Sequence, residues 1–187
     1  VEIGHGVYAV PAPNAPPVFD STPVSQARAG ETYRYTAVAS DPGDGVVTYL
    51  LLSGPQGMSL DAGSGVLAWT PTYASPEQAG VVLRAYDRSG AYATQSFSIA
   101  LTGVNHAPQF LEPTTPIEVE EGQTFELPLT VTDADGDPLH FFADNLPGGA
   151  VIDGERQTFI WTPGFDAAGE YRGITISVSD GLAEDRI

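Results

Sequence analysis

Trp69-Thr70-Pro71 returns 92 residues later as Trp161-Thr162-Pro163, and this repetition decides the fold. Working outward, Asp41 recurs as Asp133, and Ala29-Gly30-Glu31-Thr32 has its counterpart in Glu121-Gly122-Gln123-Thr124. The alternating set Tyr33, Tyr35, Ala37, Ala39 recurs as Phe125, Leu127, Leu129, Val131. Towards the end of each repeat Val81, Leu83, Ala85, Asp87 matches Ile174, Ile176, Val178, Asp180, one residue further on. A period of this length suits one small domain per repeat rather than the coil of a solenoid. The chain therefore reads as a segment of an array.

Each repeat is all-β in pattern. Short alternating runs rich in Val, Thr, Tyr and Phe lie between clusters of Gly, Pro, Asp and Ser. In the first repeat strands are expected near 18–26, 31–39, 46–52, 57–60, 65–70, 80–87 and 92–101. In the second they are expected near 109–119, 123–131, 138–143, 149–152, 157–161 and 171–179. No window carries a helical apolar stripe. Seven strands in the first unit and six in the second imply Greek-key sandwiches with Trp69 and Trp161 as large core residues.

The frame of the repeat gives the expected domains. Asn105-His106-Ala107-Pro108 marks a junction, and Asn14-Ala15-Pro16 holds the same place before the first unit. Residues 14–104 then form one sandwich and 105–187 a second, in which the final strand is incomplete. Residues 1–13 resemble the final strand of a preceding repeat. A sandwich short of a strand exposes unpaired N–H and C=O groups. The Ile3–Val10 segment is accordingly expected either to add to the open edge of another copy's second domain, as in donor-strand complementation, or to be disordered.

Composition narrows the partners. The 187 residues carry a net charge of −17, with no cysteine, and all seven basic residues are arginine. No disulfide can support these small domains, and a Lys–Asn cross-link is chemically impossible. Residues 14–104 hold seven acids and four arginines, whereas residues 105–187 hold sixteen acids and three. Such a surface repels nucleic acid and anionic lipid, and it suits cations. No apolar run in this segment is long enough to insert in a membrane.

Three motifs carry a family resemblance. Leu60-Asp61-Ala62-Gly63-Ser64-Gly65-Val66-Leu67-Ala68-Trp69-Thr70-Pro71 resembles the L-D-x-x-S/T-G-x-L-x-W-T-P signature of bacterial putative-Ig and dystroglycan-type cadherin-like repeats. Val131-Thr132-Asp133-Ala134-Asp135-Gly136-Asp137-Pro138-Leu139 is similar to their V-x-D-x-D-G-D-x-L loop, and Val104-Asn105-His106-Ala107-Pro108 to their V-N-D-A-P linker. The resemblance covers residues 14–187 and implies two tandem immunoglobulin/cadherin-like sandwiches of an extracellular or cell-surface bacterial protein.

The same resemblance implies a calcium site. Asp133, Asp135 and Asp137 place three carboxylates on one short loop, and calcium takes six to eight hard oxygens. The cadherin arrangement would add Asp180 of the second unit, Asn105 of the linker and Glu31 from the base of the first unit. An EF-hand is excluded, because Pro138 stands where that loop needs Gly and Asp144 where it needs Glu. Two departures weigh against calcium: His106 replaces a linker Asp, and Trp-Thr-Pro replaces an acid of the late strand. The other reading of the loop is a turn whose carboxylates accept backbone N–H bonds.

Catalysis finds no motif. There is no Ser in a G-x-S-x-G elbow, and His5, His106 and His140 belong to no metal motif. Tyr73 and Phe165 occupy matching places after Trp-Thr-Pro and are expected to close the sandwich edge. The reading that follows is a structural or adhesive module of a stalk or filament, in contact with neighbouring repeats or other copies of itself. A module that binds polysaccharide or a host surface, or that accompanies a secreted hydrolase, is the alternative. Exposed aromatics grouped on one sheet face would favour it.

Overall fold

The computed structural model describes residues 14–43, 45–111 and 117–187. The Ile3–Val10 segment and Asp44 lie outside the described residues. The chain divides into two compact units, one ending at Val104 and the next starting at Asn105. Among the described residues every regular element is a strand.

The first unit contains β1 (Val18–Phe19), β2 (Gln26–Arg28), β3 (Tyr33–Thr36), β4 (Ala39–Ser40), β5 (Thr48–Ser53), β6 (Ser59–Leu60), β7 (Val66–Trp69), β8 (Gln78–Tyr86) and β9 (Tyr92–Thr102). One sheet has the order β2-β9-β8-β5 and the other β3-β7-β6, with β1 and β4 paired separately. Alternation decides which side chains meet. Val81, Leu83 and Ala85 of β8, Leu67 and Trp69 of β7, and Ile99 of β9 are buried and pack as one core between the sheets. The single strand expected near 18–26 is in fact two. The N–H groups of Asp20 and Ser21 both turn to Val38 O, at 2.8 and 3.3 Å. After Pro23, which has no N–H for a ladder, β2 joins the four-stranded sheet and runs parallel to β9.

The sequence motif that opens the analysis is a chain of local devices. Asp61 Oδ1 accepts the N–H of Gly63 and Ser64 and the Ser64 hydroxyl, at 3.2, 2.7 and 2.7 Å. These bonds, those of Ser64 foremost, hold its pKa below the usual carboxylate value. Gly65 follows at φ +70°, and a Cβ there would stand 2.3 Å from Ala37 O, so only glycine fits. Leu67 and Trp69 then point inward, and Trp69 Nε1 donates to Gln56 O at 3.1 Å. Thr70 pairs with the Thr32 hydroxyl at 3.1 Å, and Pro71 O accepts the N–H of Gly30 at 2.8 Å.

The second unit repeats this scheme with β10 (Gln109–Phe110), β11 (Phe125–Pro128), β12 (Val131–Thr132), β13 (His140–Asp144), β14 (Val151–Asp153), β15 (Thr158–Trp161), β16 (Thr175–Ser179) and β17 (Glu184–Arg186). Its sheets are β11-β15-β14 and β13-β16-β17. Trp161 Nε1 donates to Gly148 O at 3.2 Å, Thr162 pairs with Thr124 at 2.8 Å, and Pro163 O accepts the N–H of Gly122 at 2.8 Å. The position of Gly65 is taken by Gln157, which keeps a left-handed φ of 51°.

The two cores differ in extent. β9 runs for eleven residues and pairs with β8 from Tyr92 to Ala100. Its counterpart β17 pairs with β16 at Ser177–Ser179, and Ile187 beyond it exchanges two backbone hydrogen bonds of 3.0 Å with Ile176. Of the strand expected near 109–119, Gln109–Phe110 forms β10, residues 112–116 lie outside the described residues and 117–119 are not in a strand; the strand expected from 171 starts at Thr175. A cavity of about 730 Å³ opens there, lined by Phe125, Leu127, Trp161, Ile174 and Ile176 among others. In the first unit Ile99 and Leu101 of β9 belong to the core, with Phe97 packed against it.

Candidate functional site

The loop after β12 gathers Asp133, Asp135 and Asp137. One carboxylate oxygen from each lies within 4.8 Å of the others. The loop forms because Asp133 Oδ1 accepts three backbone N–H groups, from Asp135, Gly136 and Asp137, at 3.0, 2.7 and 3.1 Å. That curl requires a left-handed residue, and Gly136 supplies it at φ +74°. The turn reading of this sequence is therefore correct as far as Oδ1 goes.

Oδ2 of Asp133 is different. It is buried and has no hydrogen-bond partner. A buried acceptor left unsatisfied is costly, and two further carboxylates stand beside it. An all-oxygen, triply acidic donor set around such an atom fits a hard divalent cation of the calcium type and no soft metal. The residues present thus fit the group that the sequence implied.

The other expected ligands are placed as follows. Asn105 Nδ2 donates to Asp180 Oδ2 at 2.8 Å, and Asp180 Oδ1 accepts the N–H of Leu182 and Ala183 at 2.7 and 2.6 Å. The backbone bond from Ala183, then the Asn105 amide, hold the Asp180 carboxyl below the usual range. Asp180 stands outside the three-aspartate group and clamps the start of its own domain. The first unit has the same clamp: Asn14 Nδ2 donates to Asp87 Oδ2 at 2.6 Å and lowers the Asp87 pKa. Glu31 belongs to the first unit, exposed, with its carboxylate 3.9 Å from Arg28 Nε.

His106, read in the sequence as the loss of a ligand, has a role of its own. Its backbone N–H donates to Asp135 Oδ2 at 2.7 Å, and its Nδ1 lies 3.1 Å from the same oxygen. In the first unit's loop, Asp41 Oδ1 accepts the Gly43 N–H at 2.9 Å.

Comparison with known families agrees with this repeated architecture. Residues 16–102 match the family model described as Putative Ig domain, and residues 105–185 match that described as Bacterial Ig domain. The chain is a tandem of two Ig-like domains.

Among solved structures, the Ig tandem is similar to the protocadherin GammaB4 extracellular domain at 19% identity and a TM-score of 0.46, over 91% of this chain and 33% of that one. It is similar to protocadherin Gamma B2 extracellular cadherin domains 3–6 at 16% identity and a TM-score of 0.46, over 92% and 45%. It is also similar to the endo-fucoidan hydrolase MfFcnA4 from glycoside hydrolase family 107, at 21% identity and a TM-score of 0.43, over 98% and 29%. The tandem thus spans less than half of each of these chains. No curated protein matches it. No helix among the described residues is long and apolar enough to cross a membrane.

Two features of the Ig tandem go beyond the sequence reading. The cadherin resemblance brought Asn105 and Asp180 together as metal ligands, whereas the structure has them bonded to each other, as Asn14 and Asp87 are in the first unit. The other is a cluster of Arg84, Tyr86 and Tyr92, created by pairing across the β8–β9 hairpin. Tyr73 and Phe165 do sit at matching places, each over the backbone of a glycine, Gly30 and Gly122. Yet they remain 51% and 86% exposed, so they cover a turn rather than seal an edge.

Proposed function

We propose that these Ig-type domains are spacer modules of an extracellular or cell-surface bacterial protein, a stalk, adhesin or filament, whose second domain is stiffened by calcium. The observation that carries the calcium reading is the buried, unpartnered Oδ2 of Asp133 beside two further carboxylates. Asp133, Asp135 and Asp137 would hold the ion. A bound cation supplies the positive charge that three adjacent carboxylates otherwise lack. The chain's own residues do the rest: Asp133 Oδ1 fixes the loop, and the Asn105–Asp180 clamp fixes the domain's first residues.

The expected result is a calcium-dependent rise in the melting temperature of the second unit. At ten times the dissociation constant, binding to the folded state alone contributes about 1.4 kcal/mol. For a domain of this size that is a shift of roughly 5–10 °C. Differential scanning calorimetry with and without calcium reads it, and Asp133→Asn should remove most of the shift while the first unit melts unchanged. Calorimetry showing neither heat of binding nor a shift at millimolar calcium would leave the loop a plain Asp-rich turn.

Contact between repeats is the second part of the proposal. The cavity in the second unit, lined by apolar side chains such as Leu127, Trp161 and Ile176, supports contact with a strand from a neighbouring repeat or another copy. If residues 3–10 of another copy provide it, the chain associates in a concentration-dependent way. Deleting residues 1–10 then abolishes that association in light scattering. A full chain that stays monomeric at high concentration excludes the exchange.

A further inference from the structure

The four-stranded sheet of the first unit contains no acidic residue, in a chain that has 24 of them. Its strands β2, β9, β8 and β5 carry only two charged side chains, Arg28 and Arg84. The corresponding sheet of the second unit carries Asp144, Glu184 and Asp185. Strand alternation puts Arg84 on the face opposite the core, since Leu83 and Ala85 are buried on either side of it. Register then places Leu50 and Thr94 directly beside Arg84, and Thr48 and Tyr92 beside Tyr86.

On this face the guanidinium is held in one orientation. Its carbon lies 4.2 Å from the centroid of the Tyr92 ring, and Nη1 donates to the Tyr86 hydroxyl at 3.1 Å. The two tyrosine rings are 5.4 Å apart. Arg28, Arg156 and Arg172 each have a carboxylate partner, but among the described residues none pairs with Arg84. In a chain with acids in such excess, an arginine fixed by aromatic groups and kept apart from carboxylates is prepared for an anion from outside. Around it lie Leu50 and Tyr92, both 48% exposed, and the exposed hydroxyl residues Thr48, Thr94 and Ser96.

We propose that this sheet face binds an acidic polysaccharide of the polyuronate type, with Arg84 forking onto a sugar carboxylate and Leu50 and Tyr92 against the pyranose ring. The planar fork matches a carboxylate, the apolar side chains suit the C–H face of a sugar, and the hydroxyls suit its OH groups. A protein partner fits less well. A stable protein interface removes about 800 Å² per side around an apolar core, whereas this apolar spot is small and ringed by Ser and Thr. The proposal uses a different unit from the calcium reading and stands or falls apart from it.

The test is affinity electrophoresis and titration calorimetry of the full chain with polygalacturonate, in EDTA, with neutral dextran as control. Polygalacturonate should retard the chain and dextran should not. Arg84→Gln and Tyr92→Ala should each weaken binding about tenfold or more, with circular dichroism unchanged. Arg34→Gln removes the same charge from exposed Arg34 of the other sheet and should bind like the parent. No retardation, equal binding to dextran, or equal losses for Arg84→Gln and Arg34→Gln would each overturn the proposal. So would a self-association of the parent that only Arg84→Gln abolishes, because the face would then be a protein contact.

Discussion

Replacing Trp69 by Ala lowers the stability of the first unit by about 3–5 kcal/mol. Trp69 is 4% exposed, it fills the space between β7 and the opposite sheet, and its N–H satisfies Gln56 O. The variant loses the transfer free energy of the ring, gains a cavity, and leaves a carbonyl without its donor. A domain of about 90 residues has a total stability of roughly 5–13 kcal/mol, so the loss brings the first unit close to unfolding. Trp161→Ala falls at the lower end of that range, because Trp161 borders the cavity of about 730 Å³ and the space left merges with one that already exists. Each variant keeps a single tryptophan, which makes the assignment clean. In Trp69→Ala, urea denaturation followed by fluorescence reports the second unit through Trp161, while far-ultraviolet circular dichroism shows the first unit melting early. Coincident parent-like transitions in that variant would mean that Trp69 is not a core residue.

Gly65 and Gln157 predict changes of opposite sign at equivalent positions. At Gly65, φ is +70° and an added Cβ would lie 2.3 Å from Ala37 O and 3.0 Å from the Tyr49 ring. Gly65→Ala therefore combines left-handed strain of about 1–2 kcal/mol with a clash against backbone that cannot rotate away. The expected loss is about 3 kcal/mol or more. Gln157 already carries the strain, at φ 51°. Gln157→Gly relieves it and should stabilise the second unit by roughly 0.5–1 kcal/mol, the gain being reduced by the greater freedom of glycine in the unfolded chain. Urea midpoints of the two variants decide the matter. A loss at both positions would show that the left-handed turn is not what these residues share.

How much of this was legible in the chain varies from residue to residue. The inward faces of the strands were readable, because alternation has a period of two and a buried face tolerates no slip: Tyr33 and Tyr35, Leu67 and Trp69, and Val81, Leu83 and Ala85 are all buried. The Asp133 loop was readable too, since an aspartate that accepts the N–H groups of the next few residues acts locally. The expectations for Tyr73 and Phe165 were only half met, because a position in a repeat fixes what lies beneath a ring and not how much solvent lies above it. The break between β1 and β2 was missed, since a change of sheet depends on which strand offers a free edge.

The sequence by itself therefore determined the repeat, the all-β class, the core faces and the acidic loop. All of these follow from periodicity and from bonds between near neighbours. The tertiary structure alone decided that Asn105 and Asp180 form a clamp, that His106 holds Asp135, and that Arg84 lies against Tyr86 and Tyr92 on a sheet free of acids. These are contacts across strand pairings. A side chain's partner there is set by register and by which face it occupies, and such relations exist only once distant segments have been brought side by side.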